Sequence, residues 1–204
     1  GETLRSPSVV LLMIGNSATS VAQTTSAAVG CLIQMMINGA MVAPQSVERH
    51  PQFNGRAIQA RQQSIDLALV RLPDTADGAP AFLSAAPPPT AGAAISAHGF
   101  GLTDERRAAS TGQYRRSDLV VAAPYGIGKI LVWAQRANGS GGGCQGDSGG
   151  PMRNASGAVV AIISWSTGHN GAQCGHYTQG ILVAPHRPWI DKTLARWGAQ
   201  TQWR

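Results

Sequence analysis

The chain has 204 residues, 43% of them hydrophobic and 13% charged, with a formal net charge of +6. That is enough chain for a sizeable core in one compact unit or two small fused ones, and no apolar run is long enough to span a bilayer as a helix. The arginines are scattered apart from Arg106–Arg107 and Arg115–Arg116 in a polar stretch, and no aromatics alternate with them as base-stacking platforms, so neither nucleic acid nor membrane is expected as a partner.

Frequent glycine and proline favour many short strands over long helices. In chain order, the first apolar run is SVVLLMI, residues 8–14, which reads as a strand. It is too short for a signal peptide and lacks the basic flank and cleavage site of one. DLALVRL, residues 66–72, is the next strand. AAPPPTAG, residues 85–92, reads as a linker and divides an N-terminal part, 1–86, from a larger C-terminal part, 87–204. Two later strands are expected in GAVVAIISWS, 157–166, and YTQGILV, 177–183. The tail APHRPWIDKTLARWGAQ, 184–200, reads as a helix, because Ile190, Leu194 and Trp197 recur at spacings of four and three. The expected class is all-β with one C-terminal α-helix. His50, His98, His169, His176 and His186 are dispersed, with no HExxH-type pairing, so no metal or other cofactor is expected.

Chemistry concentrates in GGGCQGDSGGP, residues 141–151. A serine hydroxyl is a weak nucleophile and must stand where a carbonyl can reach it. The glycines around Ser148 permit tight backbone turns and close approach of a substrate. The backbone N–H groups of Gly146 and Ser148 are placed to receive a developing oxyanion. Asp147 needs a cation or several donors if it is buried.

CQGDSGGP resembles the nucleophile signature of the chymotrypsin/trypsin family of serine proteases. Other stretches resemble that family in the same order: RHPQF, SIDLALVRL, ISAHGFGLT, IISWSTG and GHYTQGILVAPHRPWI. The resemblance implies two Greek-key six-stranded β-barrels with a cleft between them and a terminal helix. The first barrel is expected to be shortened, because residues 31 to 66 are fewer than the family usually carries there. It makes Ser148 the nucleophile and Asp66 the carboxylate that orients the base. Gly142, Ser164, Trp165, Ser166, Gly175 and His176 fall on the substrate pocket. With glycine at the pocket base, a preference for Lys or Arg is not implied. The family's pairing implies a Cys144–Cys174 disulfide, hence an oxidising compartment, secreted or periplasmic, and leaves Cys31 without its usual partner. The expected ligand is a peptide or protein, and the chain is expected to be monomeric.

Two departures stand out. Where the family carries its histidine–cysteine unit after the GCLI-like stretch, this chain reads INGAMVAP, placing Met41 at the base position and Val42 at the cysteine. A thioether cannot take a proton at neutral pH. His50 precedes a proline, His98 falls in the GFG turn, His169 follows the Ser-Trp-Ser strand, and His186 caps the last helix; each is better read as structural than as a replacement base. The opening GETLRSPSVV also lacks the Ile-Val-Gly-Gly-type terminus whose ammonium pairs with the aspartate before the serine. The two functions that follow are an impaired serine endopeptidase and a non-catalytic homologue that binds peptides or proteins in its cleft.

Overall fold

The structure, a computed structural model, describes residues 9–12, 35–37, 40–57, 62–73, 80–122, 130–139 and 141–204. In the N-terminal part, β1 (Val9–Leu12), β5 (Ala68–Arg71) and β4 (Ser46–Arg49) form an antiparallel sheet in the order β1-β5-β4. A separate antiparallel pair joins β2 (Met35–Ile37) to β3 (Ala40–Val42). The register pairs Met35 with Val42, Met36 with Met41 and Ile37 with Ala40.

The C-terminal part is a closed six-stranded barrel. Its strands are β6 (Ala94–Gly99), β7 (Arg115–Val121), β8 (Leu131–Gln135), β9 (Pro151–Asn154), β10 (Val159–Ser166) and β11 (Thr178–Leu182). Their order around the barrel is β10-β11-β8-β7-β6-β9. Alternate residues of successive strands fill it: Ile95 and Ala97, Leu119 and Val121, Val132 and Ala134, as a pleat with one buried face requires. Met152 lies fully buried among them. Its sulfur sits 2.5 Å from where a Cβ on Gly180 would be, so glycine in β11 is what admits the larger side chain.

A second apolar cluster lies outside the barrel, beneath the helix α1 (Arg187–Arg196). Pro188 stands in the first turn of α1, where its missing N–H costs nothing. The expected helical face is realised: Ile190 and Leu194 are buried against Val159, Ile162 and Ile181, with Trp197 packed alongside. Ile65 and Leu67, which flank Asp66, enter this same cluster. The N-terminal part is therefore anchored to the C-terminal part immediately around its candidate carboxylate. The segment before the proline-rich stretch also lies against the C-terminal part. Ser84 N–H donates to Val159 O (2.8 Å) and Ala85 N–H to Arg204 O (2.8 Å).

Candidate active site

Ser148 lies in the loop between β8 and β9, and the loop's end is zipped onto β10. Gly149 N–H donates to Ile163 O (2.8 Å) and Ile163 N–H to Gly150 O (2.9 Å). The Cys144–Cys174 disulfide forms, as the resemblance implied. Three further bonds join the same two segments. Gly141 N–H donates to Gly175 O (2.8 Å), Gly143 N–H to the buried Thr178 hydroxyl (2.7 Å), and the Gln145 amide to the Gln173 side chain. Gly142 and Gly175 are thus brought alongside each other. Both have positive φ, +150° and +94°, conformations that suit glycine.

Within the loop, Asp147 turns inward. Its two carboxylate oxygens accept N–H groups from Gly101 (Oδ1, 2.8 Å) and Cys144 (Oδ2, 2.8 Å). Burial pushes its carboxyl above the usual value, opposed by these two N–H groups and by the charge of Arg115. Gly146 has φ +91°. Neither Gly146 N–H nor Ser148 N–H donates to any acceptor among the described residues. Two free donors therefore flank the Asp147 peptide beside the hydroxyl, an arrangement chemically suited to an anionic oxygen.

Asp66 is half-buried and accepts a hydrogen bond on Oδ2 from the Ser164 hydroxyl at 3.4 Å. This contact, spanning the two parts of the chain, was missed by the sequence reading, which placed Ser164 only on the pocket. Trp165 is 58% exposed and meets Trp133 edge-on, and the Ser166 hydroxyl donates to Gln173 O (2.9 Å). From Ser164 onward β10 keeps β11 on one side, while its pairing with β9 ends at Ile162. The other edge of Ser164–Ser166 has no strand partner among the described residues.

No imidazole hydrogen-bonds Ser148. His50 is buried against His186 and Trp189, with Nδ1 accepting from Gln52 N–H (3.2 Å). His98 is a residue of β6, not of the turn, and joins the Ser96 hydroxyl (2.8 Å) and the Tyr114 hydroxyl (2.6 Å). His169 and His176 stack on each other at 4.0 Å, and His176 meets Tyr177 with the rings tilted by 42°. His186 stands at the N-cap of α1, yet its side chain makes no cap bond. Its ring is turned inward instead, with Nε2 unpartnered among the described residues, and burial together with His50 lowers its pKa to about 4. Met41 is paired with Met36 across β2–β3; its side chain, like Cys31 and the terminal residues 1–8, lies outside the described residues.

A cavity of about 630 Å³ is lined by Gly99, Gly101, Gly142–Cys144, Asp147 and Gly175 together with several arginines. Ser148, Asp66 and Trp165 do not line it.

The family model described as Trypsin matches residues 34–190, well over half of the chain. The chain belongs to the trypsin family. Among curated proteins, Granzyme M of Rattus norvegicus is 40% identical over 57 residues, 28% of this chain and 22% of the relative. That match spans less than a quarter of the relative's length. Two solved structures share the fold. Human heparin binding protein has a TM-score of 0.61 at 22% identity, covering 76% of this chain and 67% of that one. Neuropsin, a serine protease expressed in the limbic system of mouse brain, has a TM-score of 0.61 at 23% identity, covering 76% and 72%. In this trypsin-family chain the closed barrel and the C-terminal helix are those expected of a chymotrypsin-like fold.

Proposed function

We propose that this trypsin-family chain is an endopeptidase homologue that keeps Ser148 as nucleophile and Asp66 as orienting carboxylate but lacks the general base, so that peptide-bond hydrolysis is impaired. The observation that carries this reading is that none of the five imidazoles hydrogen-bonds the Ser148 hydroxyl. Without a base to take its proton, the hydroxyl is a poor nucleophile at neutral pH. In a serine protease of this chemistry, loss of the histidine alone lowers turnover by about 10⁶, and the oxyanion donors with substrate binding leave roughly 10³ to 10⁴ over water. Gly146 and Ser148 N–H groups, free of other acceptors among the described residues, are the oxyanion donors in this reading. In this reading Gly142 takes the position where the family carries its pocket base, so an uncharged side chain suits the site rather than Lys or Arg. The disulfide suits a secreted or periplasmic protein.

The free edge of Ser164–Ser166 beside exposed Trp165 favours a second use of the same cleft. An extended peptide adds there as a strand, its backbone bonded to β10 and its side chains against Trp165. The experiment is a screen of a chromogenic peptide library with parallel binding by fluorescence anisotropy. The expected result is hydrolysis within about tenfold of the Ser148→Ala background, with binding retained in Ser148→Ala and weakened in Trp165→Ala. Turnover far above that background, abolished by Ser148→Ala, overturns the impaired reading.

A further inference from the structure

We propose that Arg115 is a positioning residue for the nucleophile loop: it pins the Gly101 peptide segment that holds Asp147, and it supplies the counter-charge for that carboxylate from within the C-terminal barrel. This goes beyond the proposed function and applies equally to a cleaving and a binding cleft.

The geometry is a short relay. Arg115 Nη1 donates to Gly101 O at 2.9 Å, and Gly101 N–H donates to Asp147 Oδ1 at 2.8 Å. Next along the chain, Leu102 N–H donates to Gln145 O at 2.8 Å, so residues 101–102 clasp the loop on both sides of Gly146. The β6–β7 register delivers both halves of the device, because Gly99 lies opposite Arg115. A Cβ on Gly99 would meet Asp147 Oδ1 at 2.0 Å, and one on Gly101 would meet Asp147 Cγ at 2.6 Å. Asp147 therefore reaches this place only because both neighbours lack side chains.

A half-buried carboxylate held by two neutral N–H groups still carries an uncompensated charge. The charged groups around it, all lining the shared cavity, are Arg106, Arg115, Arg116, Arg136, Asp104 and Glu105, with His98 as the titratable neighbour. Arg116 is paired with Asp118 at 2.7 Å. Arg106 and Arg136 are exposed. The two acids are held by backbone donors, Asp104 by Arg106 N–H (2.9 Å) and Glu105 by Gln173 N–H (2.9 Å). Arg115 is the partly buried cation of the set, and it is the one whose charge lowers the Asp147 pKa. Arginine suits the place, since its planar fork bonds the Gly101 carbonyl while keeping a permanent charge near the carboxylate.

Hydrogen–deuterium exchange of the segments covering residues 99–102 and 143–148 tests this without any catalytic readout, so it stands apart from failure of the proposed function. Arg115→Met is expected to speed exchange in both segments by about tenfold at pH 7, the scale of one lost bond to a charged group, while β10 and β11 keep wild-type rates. Arg115→Lys restores most of the protection. Burial raises the Asp147 pKa in the closed loop above its solvated value of 3.8, so the ionised form is the one that favours opening. Losing the Arg115 charge raises that pKa further. The excess exchange of Arg115→Met is therefore greatest at neutral pH and shrinks as the pH falls toward 3.8 and the carboxyl takes up its proton. In an Asp147→Asn background, Arg115→Met keeps only the part due to the lost Gly101 carbonyl bond and adds less than in the wild-type loop, a double-mutant cycle that isolates the charge pairing from a general loss of stability. Wild-type exchange in Arg115→Met, an excess independent of pH, or full additivity with Asp147→Asn overturns the proposal.

Discussion

At Gly101 a single methyl group would lie 2.6 Å from Asp147 Cγ and 2.7 Å from its backbone nitrogen. Neither atom belongs to a flexible chain end, so the loop itself must move. Gly101→Ala is expected to cost about 1–3 kcal/mol of stability, the range of overpacked sites, measured by urea denaturation; an unchanged midpoint would refute the close packing. The Ser164–Asp66 bond behaves differently. At 3.4 Å it is long for a hydroxyl–carboxylate pair, so Ser164→Ala should lose no more than about 1 kcal/mol. A larger loss in the same denaturation series would mean that this serine does more than brace the carboxylate. The partners of Asp147 were not legible in the sequence for a simple reason. Gly101 and Asp147 are 46 residues apart, and only the closure of the barrel brings them together.

Two elements hold the molecule's parts in place around the site. Helix α1 reaches the N-terminal part through the edge-on contacts of His50 with His186 and Trp189 and through Arg196–Glu48 at 3.0 Å. His186, ordinarily near 6.5, is lowered to about 4, so the unfolded chain takes up a proton there before the folded one does. Stability is therefore full above pH 6.5, falls as the pH drops from 6.5 to about 4, and levels below that, with roughly 3 kcal/mol at stake. His50, lowered by burial, adds in the same direction. Thermal melts across this range should show the loss, and His186→Phe should flatten it; an equally steep profile in the variant would contradict the assignment. The disulfide clamps the Ser148 loop to the segment before β11 across a separation of 30 residues. Its replacement by Cys144→Ser and Cys174→Ser is expected to cost about 3–4 kcal/mol, read by denaturation. Strands β10, β11 and helix α1 were readable because their apolar periods are strong and bounded by turn residues. The β2–β3 pair was not, since short three-residue strands carry too little period to register.

Across the whole molecule, the family was legible from one loop, because CQGDSGGP combines a disulfide cysteine, a buried aspartate and a glycine-framed serine that act together in three dimensions. The histidines could not be placed from sequence, and the fold engages each of them with partners other than the serine. His50 and His186 meet edge-on in a buried pair, His98 bonds Ser96 and Tyr114, and His169 and His176 stack on each other. The chain combines the trypsin-family frame, a Ser148 loop anchored at Asp147 and by the disulfide, and a hydroxyl that none of its imidazoles hydrogen-bonds. The most direct measurement is the rate at which a serine-directed fluorophosphonate labels Ser148, followed by mass spectrometry of the peptide containing residues 141–151. Labelling close to the Ser148→Ala background is the expected result; rapid, stoichiometric labelling that Ser148→Ala abolishes would contradict the proposed impairment.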